Sequence, residues 1–193
     1  MPSKNLSYFL SAICHNLVVV EISRKISETA INKTNRQLVK RLVLFLQNKK
    51  IWLAAMESCT GGALMSEITN VPGASNITQG GFITYSVAQK VAQGVSAVLI
   101  KKHSVCSPGT AVAMAYQVQQ GIKGTDIGAG VTGVLAYGPK ERLKNPTDRI
   151  CLAVIYKNKL LVKELLLAPQ SSRVVAKAVV VNQLLKDILE ICS

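Results

Sequence analysis

Ile51-Trp52-Leu53-Ala54-Ala55-Met56, followed by Glu57-Ser58-Cys59-Thr60-Gly61-Gly62 and then Ala63 to Thr69, is the stretch on which the fold turns. Six apolar residues bounded by Lys50 and Glu57 suit a buried strand, and the glycine pair opens a short helix over 63–69. A strand that runs through a tight loop into a helix is half of a crossover unit, which calls for a parallel neighbour and a helix on the face of the sheet. Toward the N-terminus, Leu38, Leu42, Phe45 and Leu46 recur at helical spacing. Thr34 or Asn35 can cap that segment, so the pattern predicts a helix over 34–48. Residues 1–33 show no clean period and read as an N-terminal extension, with 5–20 as a helix or an arm.

Toward the C-terminus, the turn Val71-Pro72-Gly73-Ala74-Ser75 leads to a strand expected at 81–85 and a helix over 86–93. A further helix starts at Pro108, with Ser107 as its cap, and runs to about Gly121. Residues 127–134 form a strand of small residues. The segments 149–156 and 160–167 flank Lys157-Asn158-Lys159 as a hairpin, and a last helix follows Ser171 or Ser172 to about Ile191. Crossovers want parallel strands whereas the hairpin demands an antiparallel pair. The expected fold is a three-layer α/β/α sandwich with a mixed, mostly parallel sheet.

The chain has 193 residues, which excludes two large domains, and 49% hydrophobic against 17% charged residues excludes general disorder. Net charge is +13, and residues 1–50 hold nine Lys or Arg against Glu21 and Glu28, a net of +7. Such a field favours anionic partners without choosing among them. Tyr8, Phe9 and Phe45 are scattered rather than interleaved with the basic residues, so nucleic acid is not an expected partner. The longest uncharged stretch, Ile68 to Gln89, is rich in Gly, Asn, Thr and Ser, so no membrane span or membrane partner is expected. Five cysteines spaced about forty residues apart argue for reduced thiols in a cytoplasmic setting. The apolar helices leave room for a homo-oligomer.

Ligands of α/β sheets bind beyond the carboxyl ends of strands, so the strand-end loops carry the candidates. Glu57 to Gly62 offers a hydroxyl, a thiol, a second hydroxyl and free amides at a helix start, suited to an oxyanion or a phosphate; it also reads as a plain capping turn. In the next loop Tyr85 ends a strand and Lys90 follows one or two turns into a helix. A lysine held against the dipole and desolvated has the depressed pKa a general base needs. His15 and His103 are the only histidines, which makes a Ser-His-Asp triad a poor candidate, and no spacing suits a metal. The arrangement left for amide cleavage is Ser58 activated by Lys90 or Tyr85, with Cys59 as the second choice of nucleophile. Gly128-Ala129-Gly130-Val131-Thr132-Gly133 fits a dinucleotide fingerprint by letter, but it lies in a strand and is followed by a loop. What remains there is Thr132 and Gly133, which can present a hydroxyl and an amide.

Together, Glu57-Ser58-Cys59-Thr60-Gly61-Gly62, Val71-Pro72-Gly73, Tyr85-Ser86 with Lys90, and Val131-Thr132-Gly133 resemble the CinA C-terminal domain family over about Gln37 to Ile191, which makes 34–193 the expected domain. The resemblance implies a metal-free and cofactor-free amidohydrolase of the pyridine nucleotide cycle in NAD metabolism. It would convert nicotinamide mononucleotide, a phosphorylated small-molecule substrate, to nicotinic acid mononucleotide and ammonia. It implies Ser58 as nucleophile, Lys90 as base with help from Tyr85, and the amides from Thr60 to Gly62 as oxyanion donors. Cys59, Thr132, Gly133 and Arg173 would border the substrate, with Arg173 on its phosphate. The loops over 134–149 and 171–173 depart from the family pattern, and Asp148 stands where glycine is usual. A catalytically silent nucleotide-binding or interaction module of the same fold is the alternative.

Overall fold

The computed structural model of the protein describes residues 6–135 and 147–193. Its strands, in chain order, are β1 (Leu17–Ile22), β2 (Leu53–Glu57), β3 (Gly80–Ile83), β4 (Ile127–Val134), β5 (Asp148–Tyr156) and β6 (Lys159–Leu167). Its α-helices are α1 (Leu6–Ser11), α2 (Ile13–Asn16), α3 (Glu28–Lys49), α4 (Ala63–Thr69), α5 (Val87–Ala92), α6 (Ala97–His103), α7 (Pro108–Gly121) and α8 (Arg173–Cys192). The six strands form one sheet in the order β1-β6-β5-β4-β2-β3. The pairs β1–β6, β2–β4 and β2–β3 are parallel, whereas β4–β5 and β5–β6 are antiparallel. The expected sheet and the 157–159 hairpin are present.

Successive residues of a strand point to opposite faces, and both faces here are covered. Leu53, Ala55, Ala129, Val131, Leu152 and Val154 pack with the helices α3, α4 and α8. On the other face, Ala54 and Met56 meet α6 and α7, and Ala153 and Ile155 meet α1 and α7. Burial on both sides explains the nearly continuous apolar runs of β2 and β5. It also explains the glycines of β4: a Cβ on Gly128 would stand 2.1 Å from the Ala115 carbonyl oxygen, and one on Gly130 would stand 2.2 Å from that of Ala111. The letters of a dinucleotide fingerprint are a strand across which α7 packs closely.

The N-terminal region departs from expectation. Helix α3 begins at Glu28, six residues ahead of the predicted start, because Ser27 is its N-cap and accepts from the Ala30 amide. Asn35 is no cap: it is buried in mid-helix, donates to the Ala178 carbonyl at 2.9 Å and accepts from Asn182 at 2.8 Å, tying α3 to α8. Residues read as an extension supply the edge strand β1 and the helix α1, whose Phe9 is 2% exposed against α7. Their pairing partner β6 lies some 145 residues along the chain in register (Leu17↔Val162), a contact no local period announces. Helix α6, not expected from the sequence, has no apolar period to announce it, since Ile100 is its one buried residue. No helix among the described residues is long and apolar enough to cross a membrane.

Candidate active site

The loop after β2 is shaped by Glu57. Its carboxylate is 1% exposed and accepts from the amides of Gly62 at 3.0 Å, Leu64 at 3.2 Å and Met65 at 3.0 Å. An anion at a helix start satisfies amides that have no intrahelical partner. Gly62 has φ +93°, and a Cβ there would also meet Ile83 Cδ1 at 2.9 Å. The chain therefore turns sharply and leaves Ser58 at the strand end. Glu57→Ala should lower stability by about 3 kcal/mol, because several buried donors to a charged group lose their acceptor together. A shift of the urea midpoint measures it, and Glu57→Gln should cost less.

Strands β2 and β3 are parallel neighbours with Glu57 opposite Ile83, so the loops that follow them meet. The Ser58 amide donates to the Val131 carbonyl at 3.1 Å and the Thr84 amide donates to that of Glu57 at 2.8 Å. Ser86 caps α5, accepting from the Gln89 amide at 3.1 Å, and Lys90 turns inward from this short helix. Lys90 is fully buried; its Nζ donates to Ser58 Oγ at 2.8 Å and to the Thr84 carbonyl at 2.7 Å. No carboxylate pairs with it among the described residues. Burial pushes the Lys90 ammonium below its usual range, with the Cys106 and Cys59 sulfurs opposing that shift. Loss of one proton would give the amine a lone pair directed at Ser58 Oγ.

The pair borders a cleft of about 350 Å³ that also reaches Tyr85, Cys106, Thr132 and Arg173. Cys59 is buried, and desolvation pushes its thiol up to about 12, with Cys106 adding to the shift. A thiol held protonated in this way is a poor nucleophile. Tyr85 is 64% exposed, and its hydroxyl accepts from Arg173 Nη2 at 3.2 Å rather than bonding Ser58 or Lys90. Arg173, the first residue of α8, also donates through Nη1 to the Leu135 carbonyl. The Thr132 hydroxyl donates to the Val105 carbonyl at 2.9 Å, and Gly133 lies beside it in the cleft wall.

Two of the expected oxyanion donors are already committed. The Gly61 amide donates to the Ser58 carbonyl at 3.0 Å, and that of Gly62 serves Glu57. The Thr60 amide has no acceptor among the described residues, the Cys59 amide lies against its own sulfur, and buried Thr60 Oγ1 lacks a partner. Cys106 was missed from the sequence because it sits in a loop before α7 with no motif around it. Glu57 bounds the loop in sequence, and a carboxylate just ahead of a glycine turn and a helix is the local signal for this cap. Neither His15 nor His103 lines the cleft, and Asp187 is bonded to Lys163 and Gln183. Asp148 is fully buried at the head of β5 and is not among the described residues lining the cleft. The divergent loop residues 136–146 lie outside the described residues.

Sheet order, covered faces and a serine–lysine pair at adjoining strand ends define an α/β domain with a candidate site at the carboxyl edge of a mixed sheet. The sequence pattern of the CinA C-terminal domain matches residues 35–191, and the chain belongs to that family. A Moorella thermoacetica relative from the competence-damage inducible group is 36% identical over 130 residues, covering 67% of this chain and 31% of its own length. A CinA-like protein of Dictyoglomus thermophilum is 30% identical over 159 residues, covering 81% and 38%. The chain thus spans about a third of the length of these curated relatives. The fold is shared with the competence/damage inducible protein CihA of Agrobacterium tumefaciens, with a TM-score of 0.73 at 21% identity over 89% of this chain and 100% of that one. It is shared as well with a CinA superfamily protein of Escherichia coli, with a TM-score of 0.72 at 22% identity over 88% and 95%.

Proposed function

We propose that this protein is an amidohydrolase that deamidates nicotinamide mononucleotide to nicotinic acid mononucleotide and ammonia. The observation that carries the reading is the 2.8 Å contact between fully buried Lys90 Nζ and Ser58 Oγ, with no carboxylate beside the amine among the described residues. Neutral Lys90 takes the Ser58 proton as Oγ attacks the carboxamide carbon. The Cys59 and Thr60 amides receive the charge that develops on the carbonyl oxygen. Lys90 then returns the proton to the departing nitrogen, ammonia leaves, and a nicotinoyl ester remains on Ser58. Water, relieved of a proton by Lys90, cleaves that ester and restores the hydroxyl. Arg173 holds the phosphate through its planar fork after exchanging its Leu135 and Tyr85 partners for phosphate oxygens. Tyr85 acts at the rim by positioning Arg173.

Incubating the protein with nicotinamide mononucleotide and measuring ammonia tests the proposal. No release from this or any related amide would leave the silent-module alternative, which predicts equal nucleotide binding by wild type and Ser58→Ala. The pH profile gives a second check. Only neutral Lys90 accepts the proton, so kcat/KM should rise with pH through an ionisation below the ordinary lysine value of 10.5 and be lost as pH falls through it. Linkage has the same direction. The unfolded chain binds the Lys90 proton more tightly than the native one, so stability rises with pH between the depressed native pKa and 10.5.

A further inference from the structure

The basic excess of the N-terminal quarter is concentrated by the fold onto one helix face. Lys33, Arg36, Lys40 and Arg41 are all exposed on α3, whose opposite side is buried against α8 and α4. At 3.6 residues per turn these four cations fall within a sector of about 140°, and from first to last they span about 12 Å along the axis. None is in an ion pair among the described residues, where the salt bridges are those of Arg149 and Lys163. The one acid of α3, Glu28, stands in its first turn ahead of the stripe. Glu67 of α4 shares a cavity with Arg36 and Lys40 but makes no ion pair with them. At the N-terminal end of α3 a second cavity of about 410 Å³ gathers Arg24, Lys25 and Lys186 with no acid in its lining.

We infer that the outward face of α3 is a docking surface for the phosphate backbone of duplex nucleic acid. Unpaired cations in a row match a row of phosphates, and neutralising them releases condensed counterions. The missing aromatic residues count against reading bases, but phosphate contacts need none. An acidic membrane is the poorer match. Leu44, 59% exposed, is the one large apolar side chain exposed on this helix, too little to seat it among acyl chains. Binding is indifferent to base sequence and separate from the cleft chemistry, so it stands or falls independently of the deamidase reading.

Fluorescence anisotropy of the whole chain with a labelled mixed-sequence duplex of about 20 base pairs tests this, with salt as the variable. Four phosphate contacts give a slope of log K against log salt of about −3.6, so affinity should fall about a hundredfold between about 50 and about 200 mM salt. Lys33→Gln, Arg36→Gln, Lys40→Gln and Arg41→Gln combined should weaken binding about tenfold or more at the lower salt and flatten the slope. A control that removes the same charge elsewhere, Lys101→Gln, Lys102→Gln, Lys123→Gln and Lys157→Gln, should keep most of the affinity and the slope. Circular dichroism of both variants should match wild type, since all eight side chains are exposed. Absence of duplex binding at the lower salt overturns the inference, as does equal loss in both variants. Preferential capture by vesicles of equal parts phosphatidylserine and phosphatidylcholine also overturns it.

Discussion

Replacing Ser58 by Ala should abolish ammonia release from nicotinamide mononucleotide, with kcat falling by a factor on the order of 10⁴ to 10⁶, as when other activated serine nucleophiles are removed. The side chain loses one oxygen at a site 6% exposed, and the Ser58 amide keeps its bond to the Val131 carbonyl. The fold should therefore survive, with a thermal midpoint close to wild type. A folded Ser58→Ala protein that still releases ammonia at the wild-type rate would remove the serine from the chemistry. Cys59 does not stand in for it, since its buried thiol, pushed up to about 12, remains protonated at working pH.

Lys90→Met should abolish turnover by a comparable factor while leaving stability unchanged or raising it. The two effects separate because the same burial that lowers the Lys90 pKa also makes the ammonium costly to the native state. Methionine keeps the length and apolar contacts of the stem and removes the charge, so the thermal midpoint should hold or rise as activity vanishes. Lys90→Arg should fail to restore activity, since a guanidinium does not deprotonate in this range and cannot act as base. In the proposed mechanism serine and lysine act as a unit, so the double variant should be scarcely worse than either single one. A Lys90→Met protein with wild-type kcat, or one that unfolds outright, would show that the buried amine serves packing rather than proton transfer.

The amino-acid sequence by itself determined the alternation of strands and helices wherever local period and punctuation agree. Helices α4 and α7, strand β4, the Lys157-Asn158 turn and the start of α8 at the Ser171-Ser172 pair are legible because glycine, proline and serine act over a few residues. The letters around Ser58 and Lys90 also picked out two loops that the fold brings together, since both follow strand ends that open on one crevice. Only the tertiary structure decided how those side chains are used. Amides that look free in a line of sequence are consumed when Glu57 folds beneath α4, and the Thr132 hydroxyl is consumed by the Val105 carbonyl. Tyr85 turns to Arg173, 88 residues away, and the first strand finds β6 across most of the chain. Hydrogen bonding and desolvation depend on which groups are brought within about 3 Å of one another, and that proximity is a property of the packed chain, not of spacing along it.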